Sequence, residues 1–201
     1  VGLIVTDGCL SNDGRHIDFT SKDLEQIENF SKILKLTNKI GLKSSGLSST
    51  KYYRVQFGNV KLYRFLVSIG LTPNKSKTIG RIIIPDKYFR DFVRGYFDGD
   101  GNVWVGYTHK DRKKPLLVIR TVFTSCSGKF LDLLKIKLER TGIKGGVLRK
   151  EKNTYLRLTY SIRGSLKLYE YMYNGDTKLP KGLYLKRKKD VFEREVDILE
   201  K

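Results

Sequence analysis

Two short segments of the chain carry one pattern: Gly2-Leu3-Ile4-Val5-Thr6-Asp7-Gly8 and Gly95-Tyr96-Phe97-Asp98-Gly99-Asp100-Gly101. Each runs glycine, two large apolar residues, two variable positions, then Asp-Gly. The apolar residues suit a helix, and a glycine just past the last helical residue is a common terminator. A carboxylate is thereby left at a helix end, beside backbone carbonyls that have no partner in the helix. The pair constrains the fold strongly, because whatever architecture follows the first motif is expected to follow the second.

The sequence after each motif bears this out. Phe19-Thr20-Ser21 recurs as Phe123-Thr124-Ser125, and Lys61-Leu62-Tyr63 recurs as Lys167-Leu168-Tyr169. Behind each Phe-Thr-Ser lies an amphipathic stretch with apolar residues three and four apart, 24–36 and 130–138, and Thr20 or Ser21 suits its N-cap. A hairpin fits between motif and helix, short over 10–20 and longer over 102–124. A second hairpin follows, with strands near 39–44 and 52–57, then 146–150 and 155–162. In the last of these Leu156, Leu158, Tyr160 and Ile162 alternate with outward Tyr155, Arg157, Thr159 and Ser161. Tyr53, Val55 and Phe57 alternate likewise with Tyr52, Arg54 and Gln56. Helices over 60–69 and 165–173 close the halves, with Tyr63 and Tyr169 as core. Pro85 suits the first turn of the second motif helix. The expectation is an α+β fold of two αββαββα lobes, 1–84 and 85–201.

Charge narrows the partners. Forty Lys and Arg against 21 Asp and Glu give +19 over 201 residues, a balance suited to nucleic acid or an anionic membrane surface. No apolar run approaches the roughly 20 residues of a spanning helix, and no signal peptide is visible. The reading is a soluble intracellular protein with no membrane partner, in an organelle or a prokaryotic cytoplasm. Cys9 and Cys126 lack metal-ligand spacing, and His16 and His109 form no evident triad; His16 is either a phosphate contact or a solvated loop residue.

Both motifs, the duplicated element order and the spacing between halves resemble the single-chain, two-motif LAGLIDADG homing endonucleases, over essentially the whole chain. The resemblance implies two motif helices side by side between the lobes, and two curved four-stranded antiparallel sheets forming a saddle over the major groove. Gly2 and Gly95 would permit close helix packing. By position, Asp7 and Asp100 match the family's metal-binding acids, and the carbonyls of Thr6 and Gly99 match backbone oxygens at the ions. Asp98 matches an often acidic position that is not the ligand, and the first motif departs there with Val5.

The implied cofactor is Mg2+, or Mn2+. Two facing carboxylates repel unless a cation sits between them, and magnesium accepts one or two carboxylates with water and phosphate completing its shell. In a two-metal arrangement, with ions ~3.5–4 Å apart, one activates the attacking water and the other stabilises the leaving oxygen. The reaction would be hydrolysis of one phosphodiester in each strand. The family also keeps a basic residue near each scissile phosphate, stabilising charge or orienting water. By position these are Lys75 and Lys188, with Lys77 and Lys186 as the nearest substitutes.

Arg54 and Gln56 are suited to read guanine and adenine in the major groove, and Arg157, Thr159 and Ser161 could do the same in the other half. Lys39, Lys43, Arg149 and Lys150 suit phosphate contacts; for each of these a merely solvated strand face is the alternative. The 110–114 charge run reads as a loop tip near phosphate, and Trp104 reads as packing rather than base stacking. Three functions fit: a site-specific endonuclease of double-stranded DNA from a mobile intron or intein, a maturase that binds intron RNA, and a DNA-binding regulator. Two retained acids beside phosphates favour the nuclease. Asp-Gly also ends ordinary helices, but the ordered repeats outside the motifs argue against coincidence. The duplication supplies both half-sites, so a monomer on an asymmetric target is expected.

Overall fold

The structure, a computed structural model, describes residues 1–45, 48–151, 154–174 and 182–199. Two four-stranded antiparallel sheets and seven α-helices make up an α+β fold in which one order of elements is used twice. The first series runs α1 (Gly2–Asp7), β1 (Gly8–Leu10), β2 (His16–Ser21), α2 (Leu24–Leu34), β3 (Gly41–Ser45), β4 (Ser48–Gly58) and α3 (Val60–Ser68). The second runs α4 (Asp86–Asp100), β5 (Gly101–Thr108), β6 (Leu116–Ser125), α5 (Gly128–Arg140), β7 (Val147–Glu151), β8 (Tyr155–Tyr160) and α6 (Ile162–Tyr169). Strand orders are β1-β2-β4-β3 and β5-β6-β8-β7.

The helix-facing side of each sheet is apolar, as the period-two alternation dictates, and in the second sheet the open face carries Trp104 and Val122 as well. Ile17, Phe19, Val55 and Phe57 are buried, and Phe19 stacks on Phe30 of α2 with ring centroids 4.2 Å apart. In the second sheet Phe123, Leu158 and Tyr160 are buried, and Phe123 meets Phe97 of the second motif edge-on. Each fully buried aromatic of this kind is worth about 1.5–3 kcal/mol of transfer free energy.

Several local expectations shift. The caps of α2 and α5 are Asp23 and Ser127, not the Phe-Thr-Ser residues, because those still belong to β2 and β6. Ser21 instead accepts from the backbone N–H of Asp23 at 3.1 Å and donates to Gln26 at 2.8 Å. Ile162 opens α6 rather than ending β8, and α6 runs on into a π-helical turn, Glu170–Asn174. A further helix, α7 (Lys186–Leu199), has no counterpart in the first series. Its Phe192 is fully buried 5.5 Å from Phe97. Leu185, Val191 and Phe192 supply a helical apolar spacing that was readable in the sequence.

Candidate active site

The motif helices α1 and α4 pack against each other through their glycines. A Cβ on Gly2 would lie 2.4 Å from the Phe92 carbonyl oxygen, and one on Gly95 would lie 3.2 Å from the Leu3 nitrogen. Side chains in either place would wedge the backbones apart. Gly99 completes the seam, because its missing Cβ leaves the space that the Thr6 side chain fills. Thr6 Oγ1 in turn donates to the Leu3 carbonyl at 2.9 Å. The Asp-Gly glycines do not end their helices by a left-handed turn: Gly8 and Gly101 have φ of −87° and −90°. What excludes a side chain there is crowding, since a Cβ would meet Ile4 at 2.7 Å and Phe97 at 2.4 Å.

This packing carries Asp7 and Asp100 to one end of the helix pair. Burial raises the Asp7 carboxyl to about 6, and the Asp100 charge adds to the rise. Asp100 opens to solvent, yet desolvation by surrounding protein raises it as well. Lys188 and Lys75 pull both carboxyls back down. A cleft of about 260 Å³ beside them is lined by Thr6, Lys75, Tyr96, Asp100, Ser125 and Cys126, among others. A larger and mainly apolar cavity, about 740 Å³, lies away from the acids between residues 80–86 and α5.

The two lysines occupy matching places. Both are buried, at 7% exposure each. Lys75 Nζ donates to the carbonyl of Gly8, the residue after Asp7. Lys188 Nζ donates to the carbonyls of Phe97 (2.7 Å), Asp98 (2.7 Å), Gly99 (3.2 Å) and Gly101 (2.6 Å). An ammonium at a helix C-terminus meets the negative end of the macrodipole and the orphan carbonyls together. Burial lowers the pKa of both lysines, and the nearby Asp7 and Asp100 oppose it. The Gly99 carbonyl, expected at a metal, therefore already accepts from Lys188. Lys77 and Lys186 are exposed and stand outside this arrangement.

Asp98 has a structural task that the sequence did not disclose. Its Oδ2 accepts from the Leu185 backbone N–H at 3.2 Å, fixing the start of α7 and so the approach of Lys188. Burial raises its pKa, and its Oδ1 has no hydrogen-bond partner among the described residues. The lysine-bearing segments are also held by the opposite series. Arg187 makes two hydrogen bonds to Asp23, at 2.8 and 2.7 Å, and the Lys186 N–H reaches Glu25. Conversely Ser127, the α5 cap, donates to the Ile79 carbonyl at 2.5 Å, four residues beyond Lys75.

The face opposite the helices carries Lys43, Arg54 and Gln56 in the first sheet, and Arg149, Arg157 and Thr159 in the second. Three expected contacts lie elsewhere. Lys39 precedes β3 in the connection from α2. Lys150 pairs with Leu156 and so points to the helix-covered face, because neighbours in a strand alternate and Arg149 takes the open side. Ser161 has left the strand and occupies the N-cap position of α6. Trp104, read as packing rather than stacking on a base, is 42% exposed on the open face, with Arg120 5.4 Å over its ring. The 110–114 run does form the tip between β5 and β6.

Among the described residues no three His, Cys, Asp or Glu cluster as metal ligands, and no helix is long and apolar enough to cross a membrane. Residues 88–174 match the LAGLIDADG-like domain family. In sequence, the chain is 31% identical over 170 residues to a probable translation initiation factor IF-2 of Thermococcus kodakarensis, covering 81% of this chain but only 13% of that protein. In structure it resembles the K262A mutant of I-SmaMI (TM-score 0.64, 13% identity, 100% of this chain and 90% of that one). It also resembles the meganuclease I-AabMI bound to uncleaved DNA (0.61, 13%, 99% and 89%) and the homing endonuclease I-WcaI bound to its DNA recognition sequence (0.59, 17%, 94% and 81%). The chain thus carries a LAGLIDADG-like domain in its second half and, over its whole length, the duplicated fold of the LAGLIDADG homing endonucleases.

Proposed function

We propose that this chain is a site-specific endonuclease that cuts both strands of a long, asymmetric DNA target as a monomer, with lobes 1–84 and 85–201 each covering one half-site. The observation that carries this reading is the convergence of Asp7 and Asp100 at the ends of two helices packed glycine to backbone. An acid whose ionisation is made costlier by burial and by a second acid beside it has no use in a protein that only binds a polyanion. They suit a divalent cation of the magnesium type, which takes few protein ligands and fills its shell with water and phosphate. Asp7 and Asp100 would hold it, with the Thr6 and Gly99 carbonyls adjacent. Bound there, such an ion supplies Lewis-acid activation of water and charge stabilisation at the leaving oxygen.

The chain's own groups do the rest. Lys75 and Lys188 hold the carbonyl ends of the motif helices and place two positive charges beside the acids, where a phosphate gaining charge is stabilised. The basic open faces of the sheets grip the duplex. The relative in Thermococcus kodakarensis shares only a segment of a far longer protein, which favours an intein-borne nuclease over a free-standing one. Incubation with a randomised duplex library, with and without Mg2+, tests the reading. One long site cut only with the metal, and not by an Asp100→Asn protein that still binds it, is the expected outcome. Binding of a structured intron RNA without DNA cleavage would assign the chain to the maturases instead.

A further inference from the structure

The open faces of the two sheets are not equivalent. In the first, Asp18 on β2 pairs across the strand with Gln56 on β4 and lies diagonally beside Arg54. Arg54 Nε donates to Asp18 Oδ2 at 2.6 Å, and Nη2 donates to the same oxygen. Nη2 also reaches Oε1 of the exposed Gln56 at 3.1 Å. Asp18 is 9% exposed, and its Oδ1 has no hydrogen-bond partner among the described residues. A nearly buried carboxylate therefore rests on one guanidinium.

The edge it takes decides what Arg54 can offer. A guanidinium presents two useful edges, one made by Nε and Nη2 and one by Nη1 and Nη2. Asp18 occupies the first. The second points away from it, and a turn of the Gln56 amide frees both donors. Two parallel N–H groups there match the O6 and N7 acceptors of guanine and clash with the N6 amino donor of adenine. Because the side chain is already fixed, little rotamer freedom is lost on binding.

The second sheet lacks this device. The strand pairing puts Val122 where the first sheet has Asp18, opposite Thr159, and Arg157 where it has Arg54, opposite Thr124. Arg157 instead lies 5.3 Å over the Tyr155 ring and 3.8 Å from Glu151, with its side chain 45% exposed.

We infer that Asp18 is a specificity-determining positioning residue, which locks Arg54 onto a single guanine in the half-site of the N-terminal lobe while Arg157 reads its own position loosely. The inference rests on the DNA-cutting function proposed above. Selection of a randomised duplex library by binding tests it, with wild-type, Arg54→Ala, Asp18→Asn and Val122→Asp proteins compared. Arg54→Ala should mark one guanine, and Asp18→Asn should weaken preference at that same base pair about tenfold while leaving other positions alone. Val122→Asp, in the other lobe and independent of how Asp18→Asn folds, should sharpen the position that Arg157 faces. An unchanged Asp18→Asn profile, an even loss at all positions, or a Val122→Asp protein with no sharpened position would each overturn the inference while the endonuclease reading stands. A wild-type protein that selects no sequence would overturn both.

Discussion

Asp7 is a group whose folded environment works against its charge. Its carboxyl rises from 3.8 to about 6, with burial the larger cause and Asp100 the second. A carboxyl raised on folding favours the protonated native state, so its contribution is present below the unfolded pKa and is lost as pH climbs through about 6. The metal-free protein should therefore carry a penalty of about 3 kcal/mol at most above pH 7. Asp7→Asn should remove it, raising the melting temperature by several degrees at pH 8 and by nothing near pH 3.5, as thermal denaturation at the two pH values would register. Addition of Mg2+ should raise the wild-type melting temperature at pH 8 and leave Asp7→Asn nearly unmoved. The paired lysines soften this penalty, and their own lowered pKa values are the cost of standing buried beside the acids.

At the scale of elements, the α1–α4 seam is set by absences. Gly99 makes room for Thr6, and a Cβ there would lie 2.0 Å from Thr6 Oγ1. Gly99→Ala should therefore push the motif helices apart, costing about 1–3 kcal/mol by overpacking. A double-mutant cycle is the sharper measurement: Thr6→Gly, which removes both the Oγ1 and the Cβ that would lie 2.0 and 2.4 Å from the new Cβ, should cost less in the Gly99→Ala background than on its own, whereas purely additive unfolding energies would count against the contact. Most of this layer was legible in the chain, because Gly2, Gly95, the Asp-Gly pairs and the alternation through 53–57 and 156–160 are short-range signals. Two misreadings share one cause. Ser161 left its strand and Asp23 displaced Ser21 as a cap, each a shift of one or two residues where strand meets helix, whereas Lys150, inside β7, is the neighbour of Arg149 and so faces the other side. Local pattern marks that an element exists far better than where it stops. Asp98 and Trp104 were hidden differently: one is explained by Leu185 on a distant segment, the other by the bare backbone of Gly106 beneath its ring.

Across the whole molecule, each lysine that serves one motif helix is fastened by the opposite half. Arg187 of α7 grips Asp23 at the head of α2, and Ser127 at the head of α5 grips the chain just past Lys75. The Arg187–Asp23 pair is surface-exposed on one side, with 60% of the arginine side chain in solvent, so its loss should cost no more than about 1 kcal/mol of stability. Its effect on chemistry should be larger and one-sided. Arg187→Ala should loosen Lys188 but leave Lys75 in place, so plasmid cleavage should accumulate nicked circles before linear product. Equal slowing of both cuts, with no nicked intermediate, would show that the fastening does not act through Lys188.

The same exchange has a consequence for the cell that makes such a protein. A half-made chain leaves Lys75 with the Gly8 carbonyl of its own half but without the Ser127 fastening, which belongs to the half still missing. Under the function proposed above, scission would be licensed by completeness, as a strongbox opens only when two keyholders are present.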